Sequence, residues 1–333
     1  MSHETDELER LWLEQPEIIR NYIDSRSKYE QLVSEVQYIL RRGVEKEKIG
    51  ISAISGRVKT LKSIAEKILR KDYENPLSDI TDFAGVRCVY LYLSQRAKIE
   101  KVIEADFNVI EKIDKVEKMA DDEFGYGALH YIVKLAKAAS GARYDDLKDL
   151  KCEIQVRTVL QDAWAIIDHH LIYKKEQEAP RPFRRKLNSL AGLFETADSQ
   201  FDLLREEREK YAKELTKTDL REKSHDTPLD LDVLWTYLAK KFPSIKPAPN
   251  PKFLSAALNS LLQFEYKGTS TLDELLDRTA EARDAIRANH PVRVSVAELN
   301  RAIALVHPER LKTYKPEEKK RAIEDAKKLI KQK

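Results

Sequence analysis

Two carboxylates stand where they could serve one site. Asp82 lies in "DITDFAGVRCVYLYL" (79–93) and Glu153 in "LKCEIQVRT" (150–158). Paired carboxylates that share Mg2+ are the usual equipment for moving a phosphoryl or nucleotidyl group. In the second stretch Leu150, Cys152, Ile154 and Val156 alternate with Lys151, Glu153, Gln155 and Arg157. Strand side chains repeat every two residues, so this segment has one oily and one charged face. The charged face reads either as plain wet surface or as the floor of a site. On a floor, Glu153 would meet Asp82 across the sheet, Gln155 would read a base or hydroxyl, and Arg157 would orient Glu153 or contact phosphate.

Cations gather nearby in sequence. "SGRVKTLKS" (55–63) carries Arg57, Lys59, Lys62 and Ser63 where a helix is expected to start. Cations beside the free N–H groups of a helix N-terminus bind phosphate; the plainer alternative is a solvated helix end. The single glycine rules out a GxxxxGK[ST] loop. Arg87 emerges from an apolar run and needs a partner, and a structural Asp82–Arg87 pair is as good a reading as a functional one. In "EFGYGALHY" (123–131), Tyr126, Ala128 and His130 share a strand face, and Tyr126 suits stacking on a nucleobase. An aromatic hairpin with a core histidine competes with that. His169 and His170 follow in "WAIIDHH", but neighbours on a helix diverge by about 100°, which disfavours a shared metal. No GxSxG elbow is present.

These residues need a scaffold. Residues 5–45 have helical spacing broken at Pro16, and "TLKSIAEKILRK" (60–71) is a further amphipathic helix. "GVRCVYLYL" (85–93) predicts a central strand covered on both faces. "KIEKVIEAD" (98–106) predicts a crossover helix, "FNVIEKID" (107–114) a weaker strand, and "YGALHYIVKLA" (126–136) another. The period turns helical from Val159 and stays so through 183–217. The polar stretch 218–230 is expected to be a linker, dividing a domain of residues 1–217 from an all-helical C-terminal domain, 231–333. In that domain "STLDEL" signals a helix start capped by Ser270 or Thr271. The expected class is α+β, with these strands in one sheet.

The chain has 333 residues, 42% hydrophobic and 35% charged, with a net charge of +3. So balanced a charge supports nucleic-acid binding only locally; the basic helix at 315–333 reads either as a holder of RNA phosphate or, more commonly, as a solvated helix. Cys88 and Cys152 read as two buried thiols rather than a secreted framework. "MSHETDELER" lacks an apolar signal core, and no run would span a bilayer, so a cytoplasmic protein without a membrane partner is expected.

In this order, "GRVKTLKS", "DFAGVRCV", "GYGALHY" and "EIQVRTVLQDAWAIIDHHLIYK" resemble the RelA/SpoT alarmone synthetase domain over roughly residues 20–215. The resemblance implies a fold similar to the polymerase-β nucleotidyltransferases, a mixed sheet flanked by helices. It also implies transfer of the β,γ-pyrophosphate of ATP to the 3′-hydroxyl of GTP or GDP. It would set Arg57, Lys59 and Ser63 on the ATP phosphates, with Lys62 in support, and Arg57 and Arg87 around the adenine. Asp82 and Glu153 would hold Mg2+, with Glu153 also activating the attacking hydroxyl and Arg157 supporting it. Tyr126 would stack on the acceptor base, and His130, Gln155 and His169 would position the acceptor. The family's N-terminal hydrolase domain has no counterpart ahead of these motifs, so synthesis without hydrolysis is expected. Two departures stand out. Gly127 and Ala128 occupy positions where the family commonly has a basic residue and a serine. That is the kind of change seen in the toxic small synthetase branch, some members of which pyrophosphorylate the 3′-CCA end of tRNA. The helical tail also differs from the large enzymes' regulatory modules and is compatible with a regulatory role or a protein regulator. A nucleotide-binding regulator without catalysis is the third reading.

Overall fold

The computed structural model describes residues 7–71, 73–114, 127–171, 181–217, 226–307, 309–310 and 317–330. The chain divides into two compact units, Met1–Leu204 and Arg205–Lys333.

The first unit is built on a five-stranded sheet. Its strands are β1 (Ile51–Val58), β2 (Ala84–Tyr90), β3 (Phe107–Asp114), β4 (Leu129–Leu135) and β5 (Cys152–Thr158), in the order β1-β2-β5-β4-β3. β2 and β5 run parallel and the other pairs antiparallel, which makes the sheet mixed as expected. The alternation of 150–158 becomes burial: Cys152, Ile154 and Val156 are fully buried, while Glu153, Gln155 and Arg157 are half-buried on the other face. Both cysteines are free and buried.

Helix α1 (Glu7–Glu14) ends before Pro16, which opens the long α2 (Pro16–Lys46). Proline at the first helical turn loses no hydrogen bond, so the same residue breaks one helix and starts the next. Helix α2 buries Leu32, Val36 and Leu40 in one core with Ala84, Val86, Cys88, Ile154 and Val156 of the sheet. It passes β1 at Gly56, where a Cβ would come within 2.4 Å of Val33 Cγ1. Helix α3 (Leu61–Arg70) is capped by Thr60, whose hydroxyl accepts from Ser63 N–H. A short α4 (Pro76–Asp79) leads towards Asp82, and α5 (Arg96–Asp106) carries the chain from β2 to β3. Helix α6 (Val159–Leu171) leaves β5 directly, and Trp164 on it packs with Leu187 and Ala191 of α7 (Arg181–Lys217).

The sequence reading missed β1. Arg57, expected at a helix start, stands on that strand instead. Ile51, Ile54 and Val58 are spaced by three and four, and only they among the strand's residues are partly covered. An edge strand with an irregular register between Ile51 and Ala53 imitates helical spacing.

The second unit is helical, with α8 (Leu231–Lys241), α9 (Pro251–Gln263), α10 (Thr269–Arg278), α11 (Ala280–Asn289), α12 (Ser295–Val306) and a last helix, Glu317–Ala326. Leu234, Leu261, Leu272, Leu299 and Ile303 form its core. Within the stretch expected as linker, the described residues Asp226–Asp230 pack into this unit: Leu229 N–H donates to Lys267 O, and Asp230 caps α8. Helix α10 is capped by Gly268, not by Ser270 or Thr271. Thr271 Oγ1 accepts from Gly268 N–H, and Asp226 accepts from Ser270 N–H. Among the described residues no helix is long and apolar enough to cross a membrane.

Candidate active site

Strand register builds the polar face. Across the sheet, Arg57 pairs with Gly85 and Gly85 with Glu153; one row along, Arg87 pairs with Gln155 and Gln155 with His130. Residues paired across strands share a face, so Arg57, Arg87, Glu153, Gln155 and His130 lie on one floor. Gly85 leaves room between Arg57 and Glu153: a Cβ there would meet nothing nearer than Arg57 O, at 4.0 Å.

Glu153 is gripped on both oxygens. His130 Nδ1 lies 2.8 Å from Oε1, and Gln155 Nε2 donates to Oε2 at 2.7 Å. Burial alone would raise this carboxyl. The His130 bond and charge and the Gln155 bond outweigh it, and Glu153 is held below the usual carboxylate range. His130 is buried, and its second ring nitrogen, Nε2, has no partner. A buried polar atom without a partner costs stability unless a ligand satisfies it.

Asp82 is held by two ammonium groups. Lys59 donates to Oδ2 and Lys67 to Oδ1, the latter at 2.8 Å. Burial pushes the Asp82 carboxyl up, but the two lysines more than reverse this and hold it low. Burial also draws the Lys59 ammonium down, against the pull of Asp82. The backbone of Lys59 is fixed at both ends: its N–H donates to Phe83 O at 2.9 Å, and its carbonyl accepts from Tyr22 of α2. Tyr22 in turn stacks on Phe83, with ring centroids 5.3 Å apart. One aromatic contact thus positions both Lys59 and the neighbour of Asp82.

Arg87 does not pair with Asp82. Its partner is Asp162 on α6, with NH1 to Oδ1 at 3.0 Å, and Arg157 reaches the same oxygen at 3.7 Å. Burial, and then the like charge of Arg87, lower the Arg157 guanidinium from its ordinary range.

Most of the expected residues therefore meet. Ser63 lies in the first turn of α3, its hydroxyl 3.0 Å from Thr60 Oγ1. Lys62 is exposed, one residue off the Ser63 row. Tyr126 lies outside the described residues, as does the side chain of His169, whose backbone is on α6. The sequence reading missed Lys67 and Asp162. Lys67 was detectable, because Ser63 and Lys67 are four apart and share a helix face. Asp162 gave no local signal, since its pairing with Arg87 spans most of the sheet's chain length.

The donor set fits Mg2+. Asp82 and Glu153 offer hard oxygen donors and are close enough for the Asp82 charge to act on Glu153. Among the described residues no group of three or more His, Cys, Asp or Glu could hold a metal. Mg2+ commonly binds through one or two carboxylates completed by substrate phosphates and water, which is what such a pair offers.

Residues 56–178 match the family model described as the region found in RelA/SpoT proteins. The GTP pyrophosphokinase YjbM of Bacillus subtilis is 28% identical over 191 residues, 54% of this chain and 86% of that protein. The GTP pyrophosphokinase YwaC of the same organism is 26% identical over 156 residues, 45% of this chain and 71% of that protein. Among solved structures, small alarmone synthetase 1 from Bacillus subtilis bound to its product pppGpp is 26% identical. That match covers 56% of this chain and 98% of the other, with a TM-score of 0.48. A GTP pyrophosphokinase family protein from Streptococcus pneumoniae is 24% identical, with coverages of 57% and 96% and a TM-score of 0.49. Residues 56–178, the stretch that matches this family model, include Arg57, Asp82, His130 and Glu153.

Proposed function

We propose that this chain is an ATP-dependent pyrophosphokinase that transfers the β,γ-pyrophosphate of ATP to the 3′-hydroxyl of GTP or GDP. The observation that carries this is the single sheet face on which Glu153, gripped by His130 and Gln155, lies across Gly85 from Arg57 and beside the Asp82–lysine cluster. Pyrophosphoryl transfer needs positioned phosphates and neutralised charge more than a covalent nucleophile. Arg57, Lys59, Lys67 and Ser63 supply the cationic and helix-terminal wall for the ATP phosphates, and Arg87 flanks it. The acceptor's 3′-oxygen forms a bond to the β-phosphorus. The bond from that phosphorus to the α,β-bridging oxygen breaks, and AMP leaves. Glu153 accepts the hydrogen bond of the attacking hydroxyl, directs its oxygen in line and takes its proton as the new O–P bond forms; His130 Nε2 and Gln155 face the acceptor. Mg2+, held by Asp82 and Glu153 with the phosphates, would neutralise charge developing on the transferred group.

The acceptor has a second reading, favoured by one observation. Gly127 and Ala128 are buried at the entrance to β4, and neither brings a cation to an acceptor's 5′-phosphates. The 3′ end of tRNA has no such phosphates. Incubating the protein with γ-labelled ATP and either GDP or bulk tRNA decides between them. Label in a nucleotide product supports the first reading and label in RNA the second. Label in neither, with ATP still bound, would leave a non-catalytic regulator.

A further inference from the structure

Each oxygen of the two candidate metal ligands already has a donor from the protein, and the two carboxylates are occupied differently. Glu153 is held by an imidazole and an amide. Asp82 is held by two ammonium groups, one on each oxygen. All three side chains of this second cluster are mostly buried, Lys59 and Lys67 being 18% exposed and Asp82 23%. A divalent cation approaching Asp82 would have to enter beside two positive charges in a poorly screened site, where like-charge repulsion is strong. Among the described residues no third carboxylate or histidine completes a metal-binding group here to offset that repulsion.

The lysines have somewhere else to go. Lys67 lies one turn beyond Ser63 on α3, on the face where the ATP phosphates are placed above. Apart from the ammonium's bond to Asp82, Lys59 is fixed through its backbone, by Phe83 and Tyr22, so its side chain can swing while its Cα stays put. A triphosphate carries more negative charge than one carboxylate and offers several acceptor oxygens, so it competes for both ammonium groups. We propose that Asp82 is a gated metal ligand: Lys59 and Lys67 keep it closed to divalent cations until a bound triphosphate draws them off. Metal and donor nucleotide would then enter the site together, and free metal alone would find it shut. The lysines hold phosphate in one state and guard the metal ligand in the other. The gate rests on the function proposed above.

Mn2+ serves as the probe, with its free concentration read by electron paramagnetic resonance on the full chain without nucleotide. Wild type is expected to bind Mn2+ more weakly than about 0.1 mM, as sites short of ligands do. Lys67→Met, and separately Lys59→Met, should tighten free Mn2+ binding roughly tenfold, within the range usual for coupled sites. Adding Asp82→Asn to either variant should remove the gain. Circular dichroism shows which variants are folded. Wild type that binds free Mn2+ tightly overturns the gate even if every variant fails to fold. So does a folded lysine variant that binds Mn2+ no better than wild type. The readout needs no turnover. If label transfer fails but Mn2+ responds to the lysines, the reaction assignment falls and the gate stands; the reverse result removes the gate alone.

Discussion

The two units each gather several cations around few carboxylates, with opposite results. In the helical unit Glu298 is fully buried and accepts from Arg283, Arg287 and Arg301. Those arginines have further work: Arg283 donates to Thr279 Oγ1 and Leu276 O, and Arg301 to His290 O. On the sheet, Arg87 and Arg157 share Asp162, and two buried atoms there lack partners: His130 Nε2 and Arg157 Nε. A buried polar network is stable when its members are satisfied and costly when they are not. Charge ratio does not separate the two clusters, since both are cation-rich. Satisfaction does: the Glu298 cluster closes on itself, and the sheet cluster stays open towards a ligand.

The largest effect should come from breaking one cluster in each unit. Glu153→Gln is expected to lower label transfer by roughly 100- to 10,000-fold, the range for loss of a positioned acid–base group. The variant should stay folded, because the amide keeps the shape, with a modest fall in melting temperature where its N–H meets the Gln155 or His130 donor. Glu298→Ala should do the reverse. It strands three arginines and should cost about 3–5 kcal/mol of stability, as removal of one partner from a buried pair does, while transfer at a temperature where the chain is folded stays near wild type. Denaturant unfolding and the labelled-ATP assay on both variants check this. A large loss of transfer in folded Glu298→Ala would erase the distinction.

The sequence showed the sheet floor more readily than what surrounds it. The alternation of 150–158 is local and has a period of two, so both the burial of Cys152, Ile154 and Val156 and the face of Glu153 were legible. Thr60 before an apolar helical run marked the start of α3. β1 was not legible, because a strand covered only at Ile51, Ile54 and Val58 lacks the alternation that marks a strand. The partner of Arg87 was misassigned to Asp82 as one alternative. Proximity in sequence favoured that pair, but the parallel pairing of β2 and β5 brings the start of α6, and with it Asp162, beside Arg87.

Asp162→Asn sharpens the comparison at an intermediate size. It removes the carboxylate charge that Arg87 and Arg157 share, so the two guanidiniums repel without relief. Transfer efficiency, as kcat/KM for ATP, should fall roughly tenfold, about the value of one charge-assisted contact, mainly through KM. Steady-state kinetics at varied ATP separates this from a fall in kcat. An unchanged KM would show that Asp162 is as self-contained as Glu298 and that the open cluster is smaller than drawn here.

A third kind of charge lies between these two, and its effect should be the smallest. Asp198 of α7 is buried and accepts from Thr158 Oγ1 at 2.6 Å, and Thr158 in turn accepts from Gln161 N–H at the head of α6. Burial, and then the charge of Asp202, push the Asp198 carboxyl up to about 7. An unfolded aspartate titrates near 3.9. Between these values the folded chain keeps a proton that the unfolded chain has released. Stability therefore falls as pH rises from about 4 to about 7 and levels off above. Asp198→Asn removes this titration and keeps a carbonyl for the Thr158 hydroxyl. The variant should match wild type below about pH 4 and exceed it at pH 8 by about 1 kcal/mol or more, one pKa unit being worth 1.36 kcal/mol. Thermal unfolding of both proteins across that range reads the difference. Parallel curves would place Asp198 with the satisfied charges of the helical unit. Converging curves at low pH would mark it as a carboxyl that the fold tolerates best when protonated, where α7 meets the end of the strand bearing Glu153.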